Sequence, residues 1–214
     1  MPRNIDSDAV QIDGKARKAD WARPLRRFPL RALTILCLGC LLASAACTGQ
    51  SITGQSAVPF PSRTDFEAGF SPRGTSLDII LKGINGAERS ILVAAYSFTS
   101  KPISTALLEA HKRGVAVRVI ADKKGNSSRY TAVNYLANHG VPVRVNGRYA
   151  IFHHKFMVID GRHLETGSFN YSAAAVNKNA ENVLLLRDVP EIAGIYAREW
   201  EKLWAEGIEV EARY

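Results

Sequence analysis

His153-His154-Lys155-Phe156-Met157-Val158-Ile159-Asp160-Gly161-Arg162, followed by His163-Leu164-Glu165-Thr166-Gly167-Ser168-Phe169-Asn170, decides how this chain folds. Both halves have the apolar content of buried strands, and Asp160-Gly161-Arg162 supplies a turn between them. The expected hairpin joins a strand over 150–159 to one over 163–169. Side chains alternate along a strand, so His153 and Lys155 point to one face while His154 and Phe156 point to the other. Ser168 and Asn170 share a face on the return strand. One imidazole, one ammonium, one hydroxyl and one amide are thereby directed to a single spot. The same alternation carries Asp160 away from His153 and Lys155. Asp160 therefore reads as a structural residue of the turn, and Gly167 as a structural element of the motif.

On both sides of this hairpin the hydrophobic period switches between helix and strand. Leu77, Ile80, Leu81 and Ile84 recur at helical spacing, and 90–97 is a buried strand. Pro102 opens a helix with Ile103, Leu107 and Leu108 on its apolar stripe, ended by Gly114. A strand over 115–121, a helix over 130–139 stopped by Gly140 and a strand over 141–145 follow. Beyond the hairpin come a strand over 181–187 and a long amphipathic helix opened by Pro190. Ile192, Ile195, Tyr196, Trp200, Leu203 and Trp204 form its inner face, and both tryptophans read as core. The alternation predicts an α/β fold, a mixed β-sheet sandwiched between helices. No internal repeat is present.

The N-terminal part has a different character. Residues 1–31 carry eight Lys/Arg against four Asp/Glu, and 32–46 are apolar or small and uncharged. A basic flank, a short apolar run and small residues at its end read as an export signal within a leader over 1–47. The run falls short of the roughly 20 apolar residues of a membrane span. Cys47 follows Ser44-Ala45-Ala46 and resembles a bacterial lipoprotein processing site, with Ser44 where Leu is more usual. Two readings stand: a lipidated Cys47 that tethers the domain to a membrane, or a plain signal cleaved after Ala45 or Ala46. Either predicts a periplasmic or secreted protein. Residues 48–64, rich in Ser, Thr, Gly, Gln and Pro, read as a linker, and 65–214 as the folded domain. Cys37, Cys40 and Cys47 all lie in the leader, so no disulfide and no zinc pair is expected in the domain.

Lys155 can neutralise the non-bridging oxygens of a phosphodiester, and Ser168 and Asn170 can donate to them. His153 can serve as nucleophile or proton carrier. Spacing and shared face favour His153 over His154, which is expected to pack on the opposite side. From residue 48 onward the chain holds 20 Lys/Arg and 16 Asp/Glu. That mild basicity is compatible with a polyanionic substrate. Lys123, Lys124 and Arg129, around Gly125-Asn126-Ser127-Ser128, are candidate phosphate contacts.

Written as H-x-K-x4-D-x6-G-S-x-N, the motif segment over about 148–174 resembles the phospholipase D superfamily, and within it the small bacterial endonuclease branch with one motif per chain. The likeness extends from about Phe66 to the C-terminus. It includes Phe70-Ser71-Pro72, Ala95-Tyr96-Ser97-Phe98-Thr99, Lys112-Arg113-Gly114-Val115 and Glu165-Thr166-Gly167-Ser168-Phe169-Asn170. The resemblance implies that His153 attacks phosphorus to form a phosphohistidine, and that a second such histidine protonates the leaving oxygen and then activates water. It implies that Lys155, Ser168 and Asn170 hold the phosphoryl oxygens. It also implies that Glu181, in Asn179-Ala180-Glu181-Asn182, orients the histidine, with Glu165 ranked behind it. A 5′-phosphate product and chemistry without metal or cofactor follow from the same resemblance. The sequence shows no H-E-x-x-H run, no Asp-rich loop and no Cys/His cluster at ligand spacing.

That chemistry needs two His-x-Lys units, and this chain has one, since His111, His139 and His163 lack a lysine two positions on. A second copy of the chain, related by a two-fold axis, is the expected source of the other. Three functions are carried forward: an exported nuclease acting on DNA or RNA, a phospholipase D acting on phospholipid headgroup esters, and a non-catalytic nucleic-acid-binding module.

Overall fold

The computed structural model describes residues 65–212. The leader, Cys47 and the linker over 48–64 lie outside the described residues. The elements run β1 (Asp65–Ser71), α1 (Ser76–Asn85), β2 (Ser90–Ala95), α2 (Lys101–Lys112), β3 (Ala116–Asp122), α3 (Ala132–Asn138), β4 (Val143–Asn146), β5 (Lys155–Ile159), β6 (His163–Gly167), α4 (Ala173–Asn177), β7 (Glu181–Arg187), α5 (Pro190–Ala205) and β8 (Ile208–Glu209).

The strands form one sheet in the order β1-β7-β6-β5-β2-β3-β4-β8. β2, β3 and β4 are mutually parallel, and the other pairings are antiparallel. Central strands are apolar along their whole length because both faces are covered. In β2, Ile91, Val93 and Ala95 enter one core, while Leu92 and Ala94 enter the other. In β5, Met157 and Ile159 enter the first core, and Phe156 and Val158 the second. The first core is closed by Ile80 and Ile84 of α1, Ile103 and Leu107 of α2, and Leu136 of α3. The second is closed by Ala193, Trp200 and Leu203 of α5. The expected helix–sheet–helix sandwich is therefore the observed fold.

Trp200 is fully buried, and its indole Nε1 donates to the Val93 carbonyl at 2.9 Å. Trp204 stacks on it at 4.9 Å, and the Arg118 and Arg144 guanidinium groups lie 4.6 Å above Trp200 and Trp204 respectively. Both tryptophans are packing residues.

Several boundaries differ from the sequence reading. The strand expected over 150–159 begins only at Lys155, because its neighbour β2 ends at Ala95, the residue opposite Lys155. Residues 151–154 are irregular, so His153 stands before the strand and not on it. The helix expected over 130–139 is Ala132–Asn138, and the strand expected over 141–145 is Val143–Asn146. Three elements had no clear sequence signature. Edge strand β1 leaves Phe66 and Phe70 exposed, the reverse of a burial pattern. α4 and β8 are too short to show a period.

The β5–β6 turn is built on left-handed backbone at Asp160 (φ 55°) and Gly161 (φ 71°). The Asp160 carboxylate accepts the backbone N–H groups of Glu88, Arg89 and Ser90, Arg89 at 2.7 Å and Ser90 at 2.9 Å. It ties the hairpin to the α1–β2 connection. Burial pushes its pKa up, but the three N–H donors outweigh burial and hold it below the ordinary aspartate value.

Candidate active site

The site lies at the carboxyl ends of the parallel strands β2 and β3, the usual place for ligands in open α/β sheets. The start of β5, the end of β6 and the start of β7 meet them there. His153 is exposed, but the backbone on either side of it is fixed. The preceding residue, Phe152, donates its N–H to the Asp122 carboxylate at 2.9 Å. The carbonyl of His153 itself accepts from Lys155 Nζ at 2.8 Å. Its ring packs against Tyr96, with centroids 4.8 Å apart.

Lys155 is 8 % exposed, with its ammonium 5.3 Å from the Tyr96 ring centroid. Burial pushes its pKa down, and the nearby Glu181 carboxylate counters that shift. Lys155 and Glu181 thus share one electrostatic environment although 26 positions separate them in sequence.

Ser168 follows directly on β6. Its hydroxyl donates to Glu181 Oε2 at 2.7 Å and accepts from the backbone and side-chain N–H groups of Asn182 at 3.0 and 3.2 Å. The approach needs Gly167, since a Cβ there would sit 2.2 Å from the Asn182 carbonyl oxygen. The other Glu181 oxygen accepts from Asn179 Nδ2 at 3.0 Å. Among the described residues, then, the hydrogen-bond partners of Glu181 are Ser168 and Asn179, not a ring nitrogen of His153. Asn170 Oδ1 is buried without a hydrogen-bond partner. The Asn170 carboxamide is not held by that atom and can present its N–H donors to an incoming oxygen.

His153, Lys155, Ser168 and Glu181 are thus linked through carbonyl, charge and hydroxyl contacts, with Asn170 two residues past Ser168. His154 makes edge contacts with Phe152 and Phe156, at ring distances of 5.4 and 5.7 Å, lines one small cavity together with His153, and has its pKa pushed down by partial burial. Asp160 lies at the far end of β5. Lys123 and Arg129 line an open groove on the β3–α3 loop, and Lys124 does not line it. Among the described residues no group of three or more His, Cys, Asp or Glu is placed to hold a metal ion.

Sequence reading passed over four residues that shape this cluster: Tyr96, Asp122, Asn126 and Asn182. Asn126 is buried, donates to the carbonyls of Tyr96 and Asp122, and accepts the Phe98 N–H. Its one amide replaces the missing strand contacts where β2 and β3 end. Tyr96, Asp122 and Asn126 cluster where β2 and β3 end, and Asn182 stands at the start of β7 beside Glu181.

Glu165 occupies a different setting. It is 2 % exposed on β6, and its carboxyl accepts the Tyr171 hydroxyl at 2.6 Å. The Tyr171 carbonyl in turn receives the N–H groups of Thr99 and Ser100, both at 2.8 Å. Glu165 therefore anchors the loop that carries Ser168 and Asn170. Burial pushes its pKa up to about 8. The folded chain keeps this proton while the unfolded chain releases it near the ordinary glutamate value, about 4.3. Unfolding then releases a proton between those limits, so stability falls as pH rises from about 4.5 to 8, by up to about 1.4 kcal/mol per unit. Urea denaturation at pH 5, 6.5 and 8 should show that decline, and Glu165→Gln should flatten it. An unchanged slope in the variant would refute the assignment.

The profile of the family described as "Cardiolipin synthase, PLD-like domain" matches residues 80–204. The chain is 36% identical over 135 residues to a mitochondrial cardiolipin hydrolase of Chlamydomonas reinhardtii, covering 63% of this chain and 60% of that protein. It is 34% identical over 139 residues to a phospholipase D of Rickettsia conorii, covering 65% and 69%. The fold superposes on Nuc, a phospholipase D family member from Salmonella typhimurium, with a TM-score of 0.69 and 37% identity. That match covers 70% of this chain and 100% of Nuc. The chain thus spans between 60% and 69% of the length of the two curated relatives and the whole of Nuc.

Proposed function

This chain belongs to the phospholipase D-like family, and from that premise we propose that it is an exported, metal-independent phosphodiesterase that cuts DNA or RNA as a homodimer. One observation carries the reading: the buried ammonium of Lys155 and the Ser168–Glu181 pair stand together beside an exposed imidazole on a fixed backbone. A phosphodiester placed there meets a cation, a hydroxyl, an amide and a nucleophile at once.

In the reaction, His153 forms a P–N bond to phosphorus as the P–O bond to the leaving group breaks. The partner subunit's His153 gives its proton to that leaving oxygen. It then takes a proton from water, whose oxygen attacks phosphorus and displaces His153. The support for a dimer is the single His-x-Lys unit in the sequence. The leader over 1–47 supports action outside the cytoplasm, with Cys47 as the tether if it is lipidated.

A second reading, hydrolysis of phospholipid headgroup esters, draws on the names of the relatives, phospholipase D and cardiolipin hydrolase. Assay of DNA, RNA and phosphatidylcholine side by side with EDTA present separates the two. Full cleavage of nucleic acid under chelation is expected. Cleavage of lipid alone would reverse the ranking, loss of activity on chelation would reject the metal-free route, and an active monomer in light scattering would reject the shared site.

A further inference from the structure

A groove of about 490 Å³ runs between α2 and α3. Thr99, Lys101, Arg129, Tyr130 and Tyr135 contribute to its walls, and Tyr130 is 87% exposed. Two cations and two phenol rings face this groove, and no Asp or Glu lines it. Ala132 is the one aliphatic residue of its lining, while Val133, Val145 and Val210 line the adjoining groove. A second groove, of about 380 Å³, shares Arg129 and Asn134 with the first and continues toward Lys123, again without a carboxylate.

The groove is fixed relative to the reacting groups. Thr99 donates its N–H to Tyr171, the residue after Asn170. Asn126 locks the β3–α3 loop, which carries Arg129 and Tyr130, onto Tyr96, whose ring touches His153. The groove walls are thus tied to the segment that carries Asn170 and to Tyr96.

We propose that this groove is a subsite for single-stranded nucleic acid flanking the scissile phosphate, with Tyr130 stacking on a base and Lys101 and Arg129 meeting phosphates. The inference rests on the phosphodiesterase reading and deepens it by naming the form of the substrate. Cations interleaved with exposed aromatic rings suit a strand whose bases are unpaired, because each base then offers a face to stack on. A duplex would present only its backbone, leaving the tyrosines unused. The continuation toward Lys123 gives the track room for several nucleotides.

The test uses the full chain. In a His153→Ala background, where no turnover intervenes, anisotropy reads the binding of fluorescein-labelled oligothymidylate. Adding Tyr130→Ala should weaken binding about 10-fold. Adding Lys101→Ala should reduce the slope of log K against log salt by about 0.7, the share of one single-strand phosphate contact. In the active chain, Tyr130→Ala should lower kcat/KM for oligothymidylate about 10-fold relative to bis(p-nitrophenyl) phosphate, which carries no flanking nucleotide. Unchanged affinity and salt slope in both variants would overturn the proposal. Loss of binding to phosphatidylglycerol vesicles with oligothymidylate binding retained would also overturn it, in favour of a lipid surface. If the chain hydrolyses no diester yet both substitutions weaken oligothymidylate binding, the groove stands and the phosphodiesterase reading falls.

Discussion

Replacing His153 by alanine should lower kcat by about 10⁴-fold or more, the scale seen when a nucleophile or its acid–base partner is removed. The structure makes this a clean experiment. The ring is exposed, and the backbone beneath it is held by Asp122 through Phe152 and by Lys155 through the carbonyl of His153, neither of which needs the imidazole. Thermal stability should stay within about 0.5 kcal/mol of the wild type, as for a surface substitution. His154→Ala is the matched control. It removes an exposed ring in edge contact with Phe152 and Phe156, so it should cost about 0.5–1 kcal/mol of stability and leave kcat within a few-fold. Loss confined to His154→Ala would show that the wrong histidine had been chosen. Near-normal kcat in both variants would leave a binding module in place of an enzyme.

Asp160→Ala should act in the opposite way, costing about 3–5 kcal/mol of stability with little effect on the chemical step. The substitution strips the acceptor from the backbone N–H groups of Glu88, Arg89 and Ser90, in a side chain that is 8 % exposed. A hydrogen bond to a charged acceptor contributes roughly 1.5–3 kcal/mol, and donors left unsatisfied add to the loss. Because the folded pKa lies below the ordinary value, this stabilisation is complete above the unfolded pKa of about 3.9 and disappears as pH falls through the folded pKa. The wild type should therefore lose stability on acidification below pH 4 more steeply than Asp160→Ala does. Assayed at 15 °C, where the variant remains folded, kcat should stay within a few-fold of the wild type. A large fall in kcat at full folding would place Asp160 in the reaction after all.

The contrast between these residues marks how far sequence alone reaches. Alternation set Asp160 apart from Lys155, but it did not place Ser168: β6 ends at Gly167, the residue in register with Lys155, and Ser168 is tied to Lys155 only through the Glu181 carboxylate. It failed at His153, where the expected strand does not exist. Nothing local in Ala150-Ile151-Phe152 announces that the Phe152 N–H is taken by a side chain 30 positions earlier. Asn126 is invisible for the same reason, since a buried amide bridging two strand ends looks like any loop asparagine until the ends are placed. Glu181 shows another limit. The family likeness assigned its carboxylate to a histidine, yet within one protomer it bonds the Ser168 hydroxyl and Asn179. The helices and the two-sided core were readable because burial imposes a period on apolar residues. β1 was not, because Phe66 and Phe70 face outward.

The strand order also gives the molecule a built-in ruler. β1 and β8 form opposite margins of the sheet, with Glu181 one strand in from the β1 margin. Seven strand spacings of about 4.8 Å put the two margins about 34 Å apart. A fluorophore grafted on the β8 margin would leave the reacting groups undisturbed, and a second on β1 would report sheet integrity by energy transfer during unfolding. Surface immobilisation through the β8 margin would likewise leave the Glu181 side facing solution.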